Sequence, residues 1–209
     1  MKAIKEVAVI GQIIDQANLL MSDSKYREAI RALEAGINLD PDNASIWERV
    51  VVCNLELRNP KKAIEALENI VRLQPSLARA WTDKAYLHLL LNQNTQCIEA
   101  LQESLRLQPR NAREWQMLAA AFIADEEWEQ AGAALERAIL LDPNSPVVWY
   151  NYAVYNFMNE DYDEALESAH YAFSLDPLLE NLAEEWLEVA RSGIADEKDD
   201  DDSEDADAY

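Results

Sequence analysis

Hydrophobic residues recur along this chain at helical spacing, in segments of about a dozen residues that short polar turns separate. In residues 147–158 and 162–174 the apolar or small positions follow steps of three and four, which is typical of amphipathic helices. These positions are Trp149, Tyr152 and Ala153 in the first segment, and Ala165, Leu166 and Ala169 in the second. Only four glycines are present, which leaves little room for all-β turns or phosphate-cradling loops. The pattern predicts an all-α protein built from helix pairs.

Two residue types recur with a period of 34. The prolines are Pro41, Pro75, Pro109, Pro143 and Pro177, and the tryptophans are Trp47, Trp81, Trp115 and Trp149. Each tryptophan stands six residues after a proline. Because proline pushes the residue before it out of the α region, each proline is expected to end the second helix of a pair. The period therefore predicts five helix pairs.

Small and large residues keep the same phase in the second helix of each pair. The small column is Ala29, Ala63, Cys97, Ala131 and Ala165, and the large column is Leu33, Leu67, Leu101 and Leu135, followed by Ala169. Small residues at fixed points let two helices approach closely, and large residues fill the space opposite them.

Together, these columns resemble the tetratricopeptide repeat. The stretch from Trp149 to Ala153, the stretch from Asp161 to Glu167 and the closing Leu175-Asp176-Pro177 are similar to the family consensus. The resemblance implies a right-handed α-α superhelical solenoid of five helix pairs over residues 1–195, with a C-terminal capping helix. The repeats are expected at about residues 10–43, 44–77, 78–111, 112–145 and 146–179.

Both ends of such a solenoid need a cap, because each end exposes an apolar face. An apolar stripe at helical spacing, Leu179, Leu182, Ala183, Trp186 and Val189, predicts the capping helix at about residues 178–192. Residues 1–9 are expected to extend the first helix, with Ile4 and Val7 facing inward.

The chain is strongly acidic, with a net charge of −22. Such a charge argues against binding nucleic acid or an anionic membrane surface. Residues 196–209 hold nine acidic residues against the single Lys198, which predicts a disordered tail. We expect this tail to be either solubilising or an internal pseudo-ligand for basic groups of the body. Acidity throughout the chain is also typical of a salt-rich habitat.

Residues with catalytic or metal-binding chemistry are sparse. His88 and His170 are 82 residues apart, Cys53 and Cys97 are 44 apart, and no nucleophile elbow or zinc spacing occurs. We therefore expect no enzyme activity, no cofactor, no metal and no small-molecule substrate. The cysteines are interpreted as reduced core thiols, which fits a cytoplasmic protein. Charged residues interrupt Met1 to Met21, so this segment predicts neither a signal peptide nor a membrane span.

The resemblance also implies a concave groove lined by the first helix of each repeat. The residues that register places there are Asn18, Arg49, Val52, Leu55, Arg79, Tyr86, Leu89, Arg113, Ile123, Tyr150, Asn151 and Phe157. The arginines indicate an acidic group on the ligand, near an apolar anchor. The competing interpretation is a tightly curled superhelix in which the apolar members are ordinary core.

The predicted function is a protein-protein interaction adaptor or scaffold that binds a peptide or partner helix in this groove. A self-assembling homo-oligomer and a regulatory subunit of an enzyme complex are the alternatives. One TPR subclass clamps the C-terminal carboxylate of chaperones, and Asn18 and Arg79 match its pattern in part. Asp83 reverses the charge of that pattern's final arginine, which disfavours this ligand.

Overall fold

The structure is a computed structural model that describes residues 2–193, with side chains described from Val7 onward. Ten α-helices follow one another in this range: α1 Lys2–Ser22, α2 Tyr26–Leu39, α3 Ala44–Glu56, α4 Pro60–Leu73, α5 Ala78–Leu90, α6 Asn94–Leu107, α7 Ala112–Ala124, α8 Trp128–Leu141, α9 Pro146–Met158 and α10 Tyr162–Leu175. A 3-10 helix, Pro177–Leu182, and a terminal helix over residues 184–193 complete the described chain. The acidic tail predicted at residues 196–209 lies outside the described residues.

The chain divides into two compact units, which meet in sequence between Pro109 and Arg110. In unit 1, α1 packs with α2, α3 with α4 and α5 with α6, and successive pairs join through α2 with α3 and α4 with α5. In unit 2, α7 packs with α8, α9 with α10, and α8 with α9. The residue columns run through both units without a break, so they do not reveal this division.

The tryptophan and proline columns are coupled by a hydrogen bond. The indole Nε1 of Trp47 donates to the Pro41 carbonyl oxygen at 2.8 Å. Trp149 makes the same bond to Pro143, also at 2.8 Å. The proline ends the preceding helix, and its carbonyl then anchors the first turn of the next. The six-residue offset seen in the sequence therefore marks a local hydrogen bond that joins successive repeats.

The second-helix columns form the cores of both units. Ala29, Ala63, Cys97, Ala131 and Ala165 are all fully buried, and Leu33, Leu101 and Leu135 are buried with them. Val7, in contrast, is 70% exposed, so the expectation that it faces inward is wrong. Within the described residues, no helix combines the length and the apolar character needed to cross a bilayer.

The turn inside each helix pair uses a left-handed residue that is never glycine. Ser24, Arg58, Asn92, Glu126 and Glu160 all have φ between 54° and 66°, again 34 residues apart. At the end of α7, the Glu127 N–H donates to the Phe122 carbonyl at 2.9 Å, and the Glu126 N–H donates to the Ile123 carbonyl at 3.1 Å. This is the Schellman pattern, in which glycine is the usual left-handed residue because it lacks Cβ.

Replacing that residue by glycine should stabilise the protein. We expect Glu126→Gly to raise the free energy of unfolding by about 1 kcal/mol, because it relieves the strain of a side chain at positive φ. Urea denaturation followed by circular dichroism measures the change. Ala133→Gly, at an exposed position inside α8, is the matched control and should lower stability by about 1 kcal/mol. If Glu126→Gly and Ala133→Gly lowered the free energy of unfolding equally, Glu126 would not be a strained left-handed residue.

The capping segment differs from the single helix expected at residues 178–192. The 3-10 helix ends at Leu182, and Ala183 has φ −111° and ψ −6° before the terminal helix begins. The Tyr150 hydroxyl donates to the Leu182 carbonyl at 3.0 Å, so this carbonyl has a partner outside the helical ladder. The Leu187 N–H then bonds to the Ala183 carbonyl at 3.0 Å, which starts the terminal helix.

Candidate peptide-binding groove

A groove of about 510 Å³ opens in unit 1, lined by α3, α4 and α5. Its walls carry Val52 and Leu55 from α3, and Tyr86 and Leu90 from α5. Its floor includes Leu67 and Ile70 from α4, which are 2% and 3% exposed. We call this site the unit 1 groove.

The walls of the unit 1 groove expose large apolar side chains. Val52 and Leu55 are each 44% exposed, Tyr86 is 49% exposed and Leu90 is 58% exposed. Val52 and Leu55 are three residues apart on α3, and Tyr86 and Leu90 are four apart on α5, so each pair shares one helix face. These four residues are therefore not core. A helix face that meets only water rarely gathers such a patch.

Three charged residues also line the unit 1 groove: Glu48, Arg79 and Asp83. Arg79 Nε lies 3.6 Å from Asp83 Oδ2, and the Arg79 side chain is 86% exposed, so this contact is loose. Burial raises the pKa of the Asp83 carboxyl, and the charge of Arg79 opposes that rise. Glu48 forms no ion pair with any other described residue.

Arg49 does not line the unit 1 groove and belongs to a local hydrogen-bond network. Its Nε donates to Asn18 Oδ1 at 2.8 Å, and its Nη1 donates to the carbonyl oxygen and the hydroxyl of Ser45 at 2.7 and 2.8 Å. The Arg49 side chain therefore links α3 to α1. Leu89 is half-buried and does not line the groove, whereas its neighbour Leu90 does.

The predicted groove residues of unit 2 have other surroundings. Tyr150 packs against Trp186 of the terminal helix at a ring-centroid distance of 6.4 Å, and Phe157 packs against the same indole at 5.4 Å. Asn151 and Ile123 are half-buried, and Arg113 is exposed near the start of α7. The chain's own terminal helix thus covers Tyr150 and Phe157.

Of the four histidine and cysteine residues, His88, Cys53 and Cys97 are buried in the packing of the helices and His170 is not. His88 is buried, and its Nδ1 lies 2.8 Å from Gln93 Oε1, while His170 is exposed on α10. Cys53 and Cys97 are free thiols in the core. Burial raises the pKa of Cys97 to about 11, so its thiolate is scarce at neutral pH. Across residues 2–193, no group of His, Cys, Asp or Glu is arranged to hold a metal ion.

Comparison with protein families gives two models, both described as tetratricopeptide repeat. One matches residues 14–78 and 54–112, and the other matches residues 134–167. The matched residues together make up more than half of the chain. The chain belongs to the tetratricopeptide repeat (TPR) family. A search of curated proteins finds no match to its sequence.

Solved structures place the TPR fold over most of the chain. A crystal structure of MamA protein has a TM-score of 0.72 and 20% identity, covering 83% of this chain and 94% of that one. A structure of MamA from residue 41 to the end, from Desulfovibrio magneticus RS-1, has a TM-score of 0.68 and 18% identity. The match covers 81% of this chain and 96% of that one. YrrB is described as a TPR protein with an unusual peptide-binding site. Its crystal structure has a TM-score of 0.72 and 20% identity, and the match covers 84% of this chain and 91% of that one. The all-α TPR solenoid fold expected from the sequence is confirmed.

Proposed function

We propose that this TPR protein is a non-catalytic adaptor or scaffold that binds a segment of another protein in the unit 1 groove. The main support is the meeting of four exposed, large apolar side chains from α3 and α5 on one groove of about 510 Å³. Grooves of this kind suit a peptide or an amphipathic helix that presents apolar anchors. YrrB, whose fold is similar, is described as having a peptide-binding site.

Arg79 is the side chain of the unit 1 groove that can pair with an acidic group of the partner, close to the anchor. Arg79 is the basic residue among the described residues that line the groove, and its contact to Asp83 is loose and exposed. A carboxylate of the partner can replace that contact with a shorter, charge-assisted hydrogen bond. The proposal also places the protein in the cytoplasm, in keeping with its two free, buried thiols.

Peptide selection on the immobilised full chain tests this proposal. We expect enriched peptides to share a large apolar residue next to an acidic one, and Tyr86→Ala to weaken their binding about tenfold. Leu140→Ala is the control, because Leu140 is a 72% exposed apolar residue of unit 2. Fluorescence anisotropy gives both dissociation constants. Equal weakening by the two variants, or enriched peptides without an apolar anchor, would contradict the proposal.

Self-assembly is the second candidate, and one observation favours it. At the C-terminal end of unit 2, Leu178 is 73% exposed, Leu182 66% and Val189 54%, so a second copy could cover this apolar surface. Sedimentation equilibrium of the full chain separates the two candidates. A stable dimer or larger species supports self-assembly, and a monomer over the whole concentration range excludes self-assembly as the function.

A further inference from the structure

The first wall of the unit 1 groove is charged at one end and apolar at the other. On α3, Glu48 stands four residues before Val52 and seven before Leu55, and all three line the groove. Residues at these spacings share one face of a helix. With a rise of 1.5 Å per residue, Glu48 lies about 6 Å along the helix axis from Val52. A carboxylate therefore borders the apolar part of this wall.

The second wall, on α5, has the same order. Arg79 and Asp83 come before Tyr86 and Leu90, and all four line the groove. α4 packs with both α3 and α5, and connections of three and four residues join it to them. Connections this short make neighbouring helices antiparallel, so α3 and α5 run in the same direction. The charged residues of both walls thus lie at the same end of the groove.

The charged end of the groove has one more acidic group than basic groups. Glu48 and Asp83 are acidic, and Arg79 is the basic member. Arg79 lies beside Asp83, with Nε 3.6 Å from Oδ2. Glu48 is exposed and forms no ion pair with any other described residue. The carboxylate of Glu48 is therefore the group of this groove that lacks a countercharge.

A bound segment would remove water from this charged end. Burial already raises the pKa of the Asp83 carboxyl, so water solvates this end incompletely even when the groove is open. An apolar anchor seated against Val52 would cover more of it, and a carboxylate that loses water without a countercharge is costly. A positive charge of the partner beside Glu48 would offset that cost.

We propose that the partner segment of the unit 1 groove carries a basic side chain that pairs with Glu48, about 6 Å from the apolar anchor at Val52. This inference rests on the function proposed for the groove, and it makes Glu48 the specificity-determining residue. The net charge of −22 supports it, because an acidic protein attracts basic segments and repels segments that are only acidic. The partner thus combines an apolar anchor, an acidic group for Arg79 and a basic group for Glu48.

Peptide selection on the full chain and on its Glu48→Arg variant tests this inference. A library of random short peptides is selected on each protein under the same conditions. On the unchanged chain, we expect the enriched peptides to combine a large apolar residue with a basic one. On Glu48→Arg, the apolar residue should persist and an acidic residue should replace the basic one, because the charge beside the anchor is reversed.

Glu56→Arg is the matched control. Glu56 is an exposed acidic residue at the end of the same helix, but it does not line the groove. This variant changes the net charge of the chain by the same amount, and it should select the same peptides as the unchanged chain. If both variants selected acidic residues equally, the preference would reflect net charge alone and the inference would be overturned.

A pair of synthetic peptides measures the contact itself. One is the most enriched peptide of the unchanged chain, and the other has glutamate in place of its basic residue. By fluorescence anisotropy, the unchanged chain should bind the glutamate peptide about tenfold more weakly, and Glu48→Arg should bind it about tenfold more tightly than the basic peptide. A gain of binding also shows that the variant is folded.

Two further outcomes separate this inference from the proposed function. If the two peptides bound each protein equally, and Tyr86→Ala still weakened both, the inference would be wrong while the groove kept its proposed function. If the peptides enriched on the unchanged chain had no apolar anchor, the proposed function would fail, and the inference with it.

Discussion

Leu33→Ala is expected to lower the free energy of unfolding by about 2 to 5 kcal/mol. Leu33 lies in α2 of unit 1, and its side chain is fully buried among the core residues of that unit. Removing it deletes buried methyl groups and leaves a cavity that neighbouring helices fill only in part. Urea denaturation followed by circular dichroism measures the loss as a shift of the unfolding midpoint.

Leu39→Ala is the matched control for that prediction. Leu39 is the last residue of the same helix, but it is 50% exposed, so its truncation should cost less than about 1 kcal/mol. If the two variants lose the same stability, the leucine column does not form the core described above.

Trp186→Ala is expected to lower stability by about 3 kcal/mol and to release the terminal helix. The indole packs against Phe157 at 5.4 Å and against Tyr150 at 6.4 Å, so it attaches this helix to α9. Hydrogen exchange resolved by residue is the direct measurement. Protection of residues 184–193 should fall strongly, while protection of α1 to α6 in unit 1 should not change.

Glu185→Ala provides the control on the same helix, because Glu185 is exposed. It should leave the protection of residues 184–193 close to that of the unchanged protein. Undiminished protection in Trp186→Ala would show that this indole does not hold the terminal helix.

The helix pairs could be predicted because their signals are local and repeated. A proline ends each second helix through sterics between neighbouring residues, and the tryptophan six positions later bonds to its carbonyl. Such short-range effects are visible in spacing alone. The small residues of the second helices were predictable for the same reason, since Ala29 and Ala63 must be small wherever two helices touch.

Whether a predicted groove residue is open to a ligand or covered by another segment could not be predicted in the same way. Register correctly indicates that Val52 and Leu55 share an exposed face of α3, but it assigns Tyr150 and Phe157 the same role. Whether a distant segment covers that face depends on tertiary contacts, here those of Trp186. Sequence spacing carries no information on them.

Side-chain pairing and turn conformation were also beyond the sequence. The sequence assigns all three arginines to binding an acidic group of the ligand, yet Arg49 bonds to Asn18 and Ser45 within unit 1. The left-handed turns at Arg58 and Glu126 carry no glycine that would mark them.

Intermolecular NMR contacts between a selected peptide and the methyl-labelled full chain would show whether the peptide binds in the unit 1 groove. We expect nuclear Overhauser contacts from the peptide's apolar anchor to the methyl groups of Val52, Leu55 and Leu90, which line the unit 1 groove. We also expect Tyr86→Ala to weaken these contacts at the same peptide concentration, because it raises the dissociation constant about tenfold. Contacts confined to exposed methyl groups elsewhere, such as those of Leu140 or Leu178, would contradict it.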